Sequence, residues 1–134
     1  MPEAVILFAH GARDPAWAQP FEAVAADLRA RAPQLRVELA YLELMEPTLP
    51  AAGAALAAAG CDDVSIVPLF LGAGGHVRRD LPRLVESLRQ AHPQVRWRLT
   101  PAIGEIASVV AAMADAAARL ALAGARPPRD GSSY

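Results

Sequence analysis

The chain has 134 residues, 54% of them hydrophobic and 20% charged, and its formal net charge is -1. This length suits one compact domain, and the apolar fraction is too high for a disordered chain. The nearly balanced charge argues against a nucleic-acid-binding protein, which would carry a basic stripe. Because Cys61 is the only cysteine, a disulfide scaffold and a cysteine-based zinc cluster are also excluded.

The sequence does not indicate a signal peptide or a membrane span. Glu3 stands where a signal peptide would carry positive charge. The longest uncharged run, 47–61, has 15 residues and is broken by Pro50 and Gly53, whereas a membrane span needs about 20 predominantly apolar residues. We therefore expect a cytoplasmic protein without a membrane partner.

Four short apolar runs alternate with four segments that have apolar residues at helical spacing. The chain order is a strand at Ala4–Phe8, a helix at Phe21–Ala32, a strand at Val37–Leu42, a helix at Thr48–Ala59, a strand at Val64–Leu69, a helix at Val77–Leu88, a strand at Val95–Leu99 and a helix at Ile106–Leu120. This alternation predicts an α/β fold, a flavodoxin-like doubly wound four-stranded parallel sheet in the order 2-1-3-4 with helices on both faces. We expect one domain over 1–123 and a disordered tail over 124–134.

The segments that follow the predicted strands bring reactive side chains to one edge of the sheet. His10 follows the first strand, Glu43 and Glu46 follow the second, and His76 ends a glycine-rich turn after the third. Ligands of open α/β sheets bind at this carboxyl edge. Two imidazoles and a carboxylate suit a divalent transition metal, and three donors leave coordination positions open. The sequence therefore predicts a metal site here.

Simpler interpretations remain open for each residue alone. His10 could cap a turn, and His76 could face solvent at the end of a flexible turn. An α/β-hydrolase is excluded because the chain has no G-x-S-x-G segment, and a phosphohistidine phosphatase would have arginine where Ala9 stands. The turn over 72–75 lacks the phosphate-loop pattern and the chain has no lysine, so we expect no nucleotide.

Three segments resemble the class II tetrapyrrole chelatases, and most of all the short CbiX-type sirohydrochlorin chelatases. They are ILFAHGARD at 6–14, LELMEPTLP at 42–50 and VPLFLGAGGHVRRDLP at 67–82. The resemblance runs in order from about Ala4 to Leu120, and the third segment is the most specific. It implies ATP-independent insertion of Co²⁺, or in relatives of Fe²⁺ or Ni²⁺, into sirohydrochlorin by a homodimer.

The resemblance also implies roles for individual residues. The metal ligands would be His10, Glu43 and His76, and His10 would be the base that takes the pyrrole protons. The macrocycle would be contacted by Glu46 and by a continuous segment consisting of Leu71, Gly72, Ala73, Gly74, Gly75 and His76.

General chemistry agrees with these implied roles. Metal insertion releases two protons from the macrocycle, so the site needs a ligand and a base, and imidazole, with an ordinary pKa of about 6.5, can serve as both. Sirohydrochlorin is a polycarboxylate, which makes Arg13, Arg78 and Arg79 candidate partners for its acid groups, although each could equally belong to a solvated face. Two alternatives stay open: a metal or tetrapyrrole carrier that uses the same histidines without turnover, and a non-catalytic interaction domain.

Overall fold

The computed structural model describes residues 3–72 and 74–124, with the backbone alone at His76. The strands are β1 (Glu3–Ala9), β2 (Arg36–Tyr41), β3 (Asp63–Pro68) and β4 (Arg96–Leu99). The α-helices are α1 (Gln19–Arg31), α2 (Leu49–Ala58), α3 (Gly75–Ala91) and α4 (Ala107–Gly124). Two 3₁₀ turns, Pro15–Ala18 and Ile103–Glu105, precede α1 and α4.

The four strands form one parallel sheet in the order β2-β1-β3-β4, which confirms the predicted fold class and strand order. The central strand, β1, is buried from Ala4 to Ala9 because it pairs with β2 on one side and β3 on the other and has side chains packed in a cluster on each face. Every strand in the described chain runs the same way, so all four carboxyl ends lie at one edge.

The main core lies on the face of the sheet that α2 and α3 cover. Ile6, Phe8 and Ile66 point to this side and are fully buried, and Trp97 of β4 packs with them. The α2 helix begins directly after Thr48, as the sequence predicts. The Thr48 hydroxyl caps the helix by accepting a hydrogen bond from the amide of Ala51.

The opposite face of the sheet is only partly covered. Val5 and Leu7 of β1 pack there with Ala25 of α1, whereas Val67 and Leu69, in and just after β3, remain half-buried. The helix predicted over Ile106–Leu120 is present as α4, but it does not pack on this face. The described part of α4 has no buried residue.

By length and mean hydropathy, 1.4, α4 is the one described helix that could cross a membrane. Core helices of soluble proteins can have the same length and mean hydropathy, so these two properties alone are weak evidence for a membrane span. The helix also carries two charged residues, Asp115 and Arg119. The predicted tail begins at Gly124, which is the last residue of α4, and residues 125–134 lie outside the described chain.

Candidate metal and tetrapyrrole site

The structure brings the side chains of His10 and Glu43 together at the carboxyl edge of the sheet. The Nε2 atom of His10 lies 3.1 Å from Oε1 of Glu43, within hydrogen-bond distance. About half of each side chain is exposed, 49% for His10 and 55% for Glu43. The pair is therefore accessible to a ligand while each group orients the other.

The backbone holds this pair in place because the pairing of β1 with β2 continues beyond the strands. The amide of Leu42 donates to the carbonyl of Ala9 at 2.9 Å, and the amide of Glu43 donates to the carbonyl of His10 at 3.1 Å. The chain turns away from β2 at Gly11, directly after His10, and Gly11 has φ of +96°. A Cβ atom at Gly11 would lie 1.8 Å from the carbonyl oxygen of Glu43, so only glycine allows this approach.

An aromatic side chain supports the His10 ring from the side of β3. The ring centroids of His10 and Phe70 are 6.4 Å apart in an edge arrangement, and Phe70 also contacts Phe8 of the core. The Phe70 carbonyl accepts a hydrogen bond from Gly104, which ties it to the loop after β4. Phe70 is not among the site residues that the sequence predicts, although its place directly after the third apolar run was the available signal.

The segment after β2 presents Glu43 and Glu46 to solvent. Leu44 lies between them with φ of +66° and is 60% exposed, an uncommon conformation for a branched side chain. The amide of Tyr41 donates to the carbonyl of Pro47, which closes the segment into a loop. Burial, reinforced by the charge of Glu22, raises the pKa of Tyr41 above its ordinary value.

The glycine-rich turn after β3 leads directly into α3. Leu71 is 71% exposed, and a Cβ atom added at Gly72, Gly74 or Gly75 would meet nothing within 4 Å. The packing of the described chain therefore does not require glycine at these three positions, which leaves room for a large ligand to approach the backbone. Ala73, which the resemblance places among the macrocycle contacts of this segment, lies outside the described residues.

His76 occupies the first turn of α3, at the same edge of the sheet as the His10–Glu43 pair. The structure describes only the backbone of His76. The prediction that His10, Glu43 and His76 together bind a metal ion therefore stays a prediction. Within the residues that the structure describes, no three histidine, cysteine, aspartate or glutamate side chains are close enough to bind one metal ion. The remaining histidine, His92, lies at the other end of α3.

The arginines predicted beside the site have different environments. Arg13 is exposed in the bend after Gly11. Nη2 of Arg78 lies 3.4 Å from Oε1 of Glu105 in the loop after β4, so this arginine is already engaged by a carboxylate. Arg79 donates to the carbonyl of Gly75 at 3.2 Å, within its own helix.

Comparison with known proteins assigns the chain to a family. The CbiX family model matches residues 4–120. The chain belongs to the CbiX family. Among solved structures, it is similar to a CbiX protein from Marinobacter aquaeolei VT8, with 34% identity, a TM-score of 0.79 and coverage of 88% of this chain and 96% of that chain.

Two further relatives connect the CbiX fold with metals. The chain is 37% identical over 82 residues to a sirohydrochlorin cobaltochelatase of Methanopyrus kandleri, a match that covers 61% of this chain and 57% of that protein. The sirohydrochlorin chelatase SirB of Bacillus subtilis subspecies spizizenii, solved in complex with cobalt, is 26% identical with a TM-score of 0.76, covering 89% of this chain and 51% of that chain. The chain thus spans somewhat more than half the length of the curated cobaltochelatase that it matches.

Proposed function

We propose that this protein inserts a divalent metal into sirohydrochlorin without ATP or any other nucleotide. Co²⁺ is the proposed metal substrate, and Fe²⁺ and Ni²⁺ are the alternatives. Membership of the CbiX family supports the proposal, as do the named activity of the Methanopyrus relative and the cobalt complex of SirB. The observation that carries it is the contact between Nε2 of His10 and Oε1 of Glu43 at the carboxyl edge of the sheet.

The proposed chemistry is an exchange of one metal ion for two protons. The free-base macrocycle gives up its two pyrrole N–H protons as four ring nitrogens take the metal. Neutral His10 accepts the two protons one after the other, and the carboxylate of Glu43 at 3.1 Å stabilises the imidazolium that forms each time. Because about half of the His10 side chain is exposed, the proton can then pass to water.

The proposed metal ligands are His10, Glu43 and His76. Two nitrogen donors and one oxygen donor bind Co²⁺, Fe²⁺ or Ni²⁺ but leave open positions for the ring nitrogens. A closed set of four thiolates would hold the ion too tightly for transfer to the macrocycle. An accessible, three-donor site therefore suits an ion that must leave the protein.

The proposed macrocycle site is formed by the loops around this pair. Arg13 and Arg78 would bind carboxylate groups of sirohydrochlorin through charge-assisted hydrogen bonds. Glu46 and the segment 71–76 would contact the ring, and the open surroundings of the glycines at 72, 74 and 75 favour such an approach. We further propose that the protein acts in the cytoplasm as a homodimer of one domain over 1–123, without nucleic-acid or membrane partners.

The test is anaerobic insertion of Co²⁺, Fe²⁺ and Ni²⁺ into sirohydrochlorin, followed by the change in visible absorption and compared with the rate without protein. His10→Ala and His76→Ala should each abolish the acceleration. His92→Ala is the matched control, because it removes an imidazole at the opposite end of α3 and should keep the wild-type rate. Folded wild-type protein that binds Co²⁺ but accelerates no insertion would instead be a metal carrier, which is the outcome that would overturn the proposed activity.

A further inference from the structure

One face of α3 is directed at the end of β2, next to the segment that carries Glu43. A cavity of about 280 Å³ lies between the helix and the strand end. It is lined by Leu42, Asp80, Arg83, Leu84 and Ser87. Leu42 is the residue directly before Glu43 and packs against the main core. The face of α3 that lines the cavity therefore lies opposite the chain segment that presents Glu43.

The α3 residues around the cavity form one stripe along the helix. Asp80, Leu84 and Ser87 follow one another at intervals of four and three residues, which puts them on the same side. Four residues before Asp80 stands His76, in the first turn of the same helix. The backbone thus places His76 and Asp80 on one face of α3, about 6 Å apart along the helix axis.

The start of α3 has few means of its own to fix a metal ligand. Gly74 is the N-cap and has no side chain with which to cap the helix. A Cβ atom at Gly75 would meet no described atom within 4 Å, so the packing around it is open. Pro82, in the second turn, has no amide hydrogen for the regular bond to the preceding turn. A histidine on such a turn needs a side-chain partner if its ring is to keep one orientation.

We propose that Asp80 is a positioning residue for His76, and that its carboxylate accepts a hydrogen bond from the imidazole nitrogen that does not bind the metal. Such a bond fixes which ring nitrogen carries the proton and keeps the other one available for the ion. Metal-binding histidines commonly donate their second N–H group to a carboxylate in this way. The inference deepens the proposed function, because it rests on His76 as a metal ligand.

Asp80 is the carboxylate best placed for this role. It is the only acidic residue in the first two turns of α3, and its side chain is half-buried. Glu105 already pairs with Arg78 at 3.4 Å, and Glu43 lies 3.1 Å from His10. Each of the two histidines would thus have a carboxylate of its own.

A purely structural role for Asp80 predicts a different result. A negative charge near the start of a helix stabilises that helix through its dipole, and Arg83 lies three residues further on the same face. Both effects would act on α3 whether or not residue 76 is a histidine. The proposed role acts only through the imidazole of His76, so the decisive comparison is between proteins with and without that ring.

The first experiment titrates the metal-free protein with Co²⁺, without sirohydrochlorin, and follows the visible ligand-field bands of the bound ion. Asp80→Ala should raise the dissociation constant about 10- to 100-fold, and Asp80→Glu should recover part of that loss. In a His76→Ala background, Asp80→Ala should change the dissociation constant by less than about twofold. Glu86→Gln is the matched control, because it removes a carboxylate of the same helix that pairs with Arg89 at 3.4 Å and should leave Co²⁺ affinity unchanged.

The outcomes separate this inference from the proposed function. Weaker Co²⁺ binding in His76→Ala but not in Asp80→Ala would overturn the role of Asp80 and leave His76 as a metal ligand. An equal loss from Asp80→Ala in both backgrounds would show that Asp80 acts on the helix, and would overturn it as well. Co²⁺ binding that His76→Ala leaves unchanged would overturn the three-ligand site and this inference together.

The second experiment measures the wild-type protein, so it does not depend on the folding of an Asp80 variant. Long-range ¹H–¹⁵N NMR of metal-free protein near pH 8, where an ordinary imidazole is neutral, shows which ring nitrogen of each histidine carries the proton. The signals that disappear in His76→Ala assign the ring of His76. A single tautomer with a slowly exchanging N–H proton is expected for this ring. Rapid exchange between its two tautomers would refute the hydrogen bond to Asp80.

Discussion

Gly11 offers the sharpest test of how the fold holds the His10–Glu43 pair. In Gly11→Ala, the new Cβ atom would lie 1.8 Å from the carbonyl oxygen of Glu43, far inside van der Waals contact. The backbone there has φ of +96°, a conformation that side chains with a Cβ atom rarely adopt. The substitution must therefore push the loop after β2 away from the end of β1.

The free energy of unfolding should fall through two separable effects. The positive φ alone costs about 1–2 kcal/mol for alanine. Displacing the Glu43 backbone also breaks the 3.1 Å hydrogen bond from its amide to the carbonyl of His10, a loss of about 1 kcal/mol or more. We expect a total of about 2–4 kcal/mol, which for a domain of this size lowers Tm by about 6–16 °C.

Gly60→Ala is the matched control because Gly60 also has a positive φ, but a Cβ atom there would not clash with another group. Gly60 has φ of +89°, and a Cβ atom there would meet nothing within 4 Å. Thermal unfolding should therefore show a smaller loss for Gly60→Ala, and Co²⁺ titration should show weaker binding only for Gly11→Ala. Equal losses of stability, or unchanged Co²⁺ affinity in Gly11→Ala, would refute the argument that this close approach positions Glu43.

Three further predictions follow from the same region. Burial raises the pKa of Tyr41 above 10.0, so the folded state holds the phenolic proton more tightly than the unfolded state does. The free energy of unfolding must therefore fall as the pH rises above about 10. Tyr41→Phe should flatten that decline when urea unfolding is followed from pH 9 to 12. Glu105→Gln removes the carboxylate that lies 3.4 Å from Arg78, and because these side chains are 48% and 64% exposed, Tm should change by less than about 2 °C. KM for sirohydrochlorin should fall because this carboxylate competes with the acid groups of the substrate for Arg78, and an unchanged KM would contradict a role for Arg78 in binding substrate. Phe70→Ala should lower the free energy of unfolding by about 2–3 kcal/mol and weaken Co²⁺ binding through His10, whereas Phe70→Leu should retain more of both.

The fold was predictable because the strand signal is local and strong. Val5, Ile6 and Leu7 are apolar in succession, as a strand buried on both faces requires. The predicted strand ends at Leu42 and Leu69 lie one residue beyond β2 and β3, yet the amides of both residues still donate to carbonyls of the β1 segment. The apolar runs in the sequence therefore mark where the chain is buried and hydrogen-bonded to β1, and this stretch extends one residue past the regular strand.

The contacts of individual site residues were less predictable, because they depend on groups distant in sequence. The proximity of His10 and Glu43 follows from the parallel pairing of β1 with β2, so the strand order was enough to predict it. The ion pair of Arg78 with Glu105 joins the first turns of α3 to the 3₁₀ turn before α4, 27 residues further along the chain, and nothing in either segment signals the other. The sequence likewise predicts the helix over Ile106–Leu120 but not that it is left unburied within the described chain, since periodicity shows which face is apolar and not what covers it.

The two halves of the proposed site are supported in different ways, and this difference matters for metal transfer. The sheet fixes the half that contains His10 and Glu43, through backbone hydrogen bonds on one side and Phe70 on the other. The half that contains Leu71 and the start of α3 is exposed, and its glycines have open space around them. A base must keep its geometry while protons leave, which requires the first kind of support. A large flat ligand must enter and depart around it, which requires an exposed half with open space around its glycines, as the second half has.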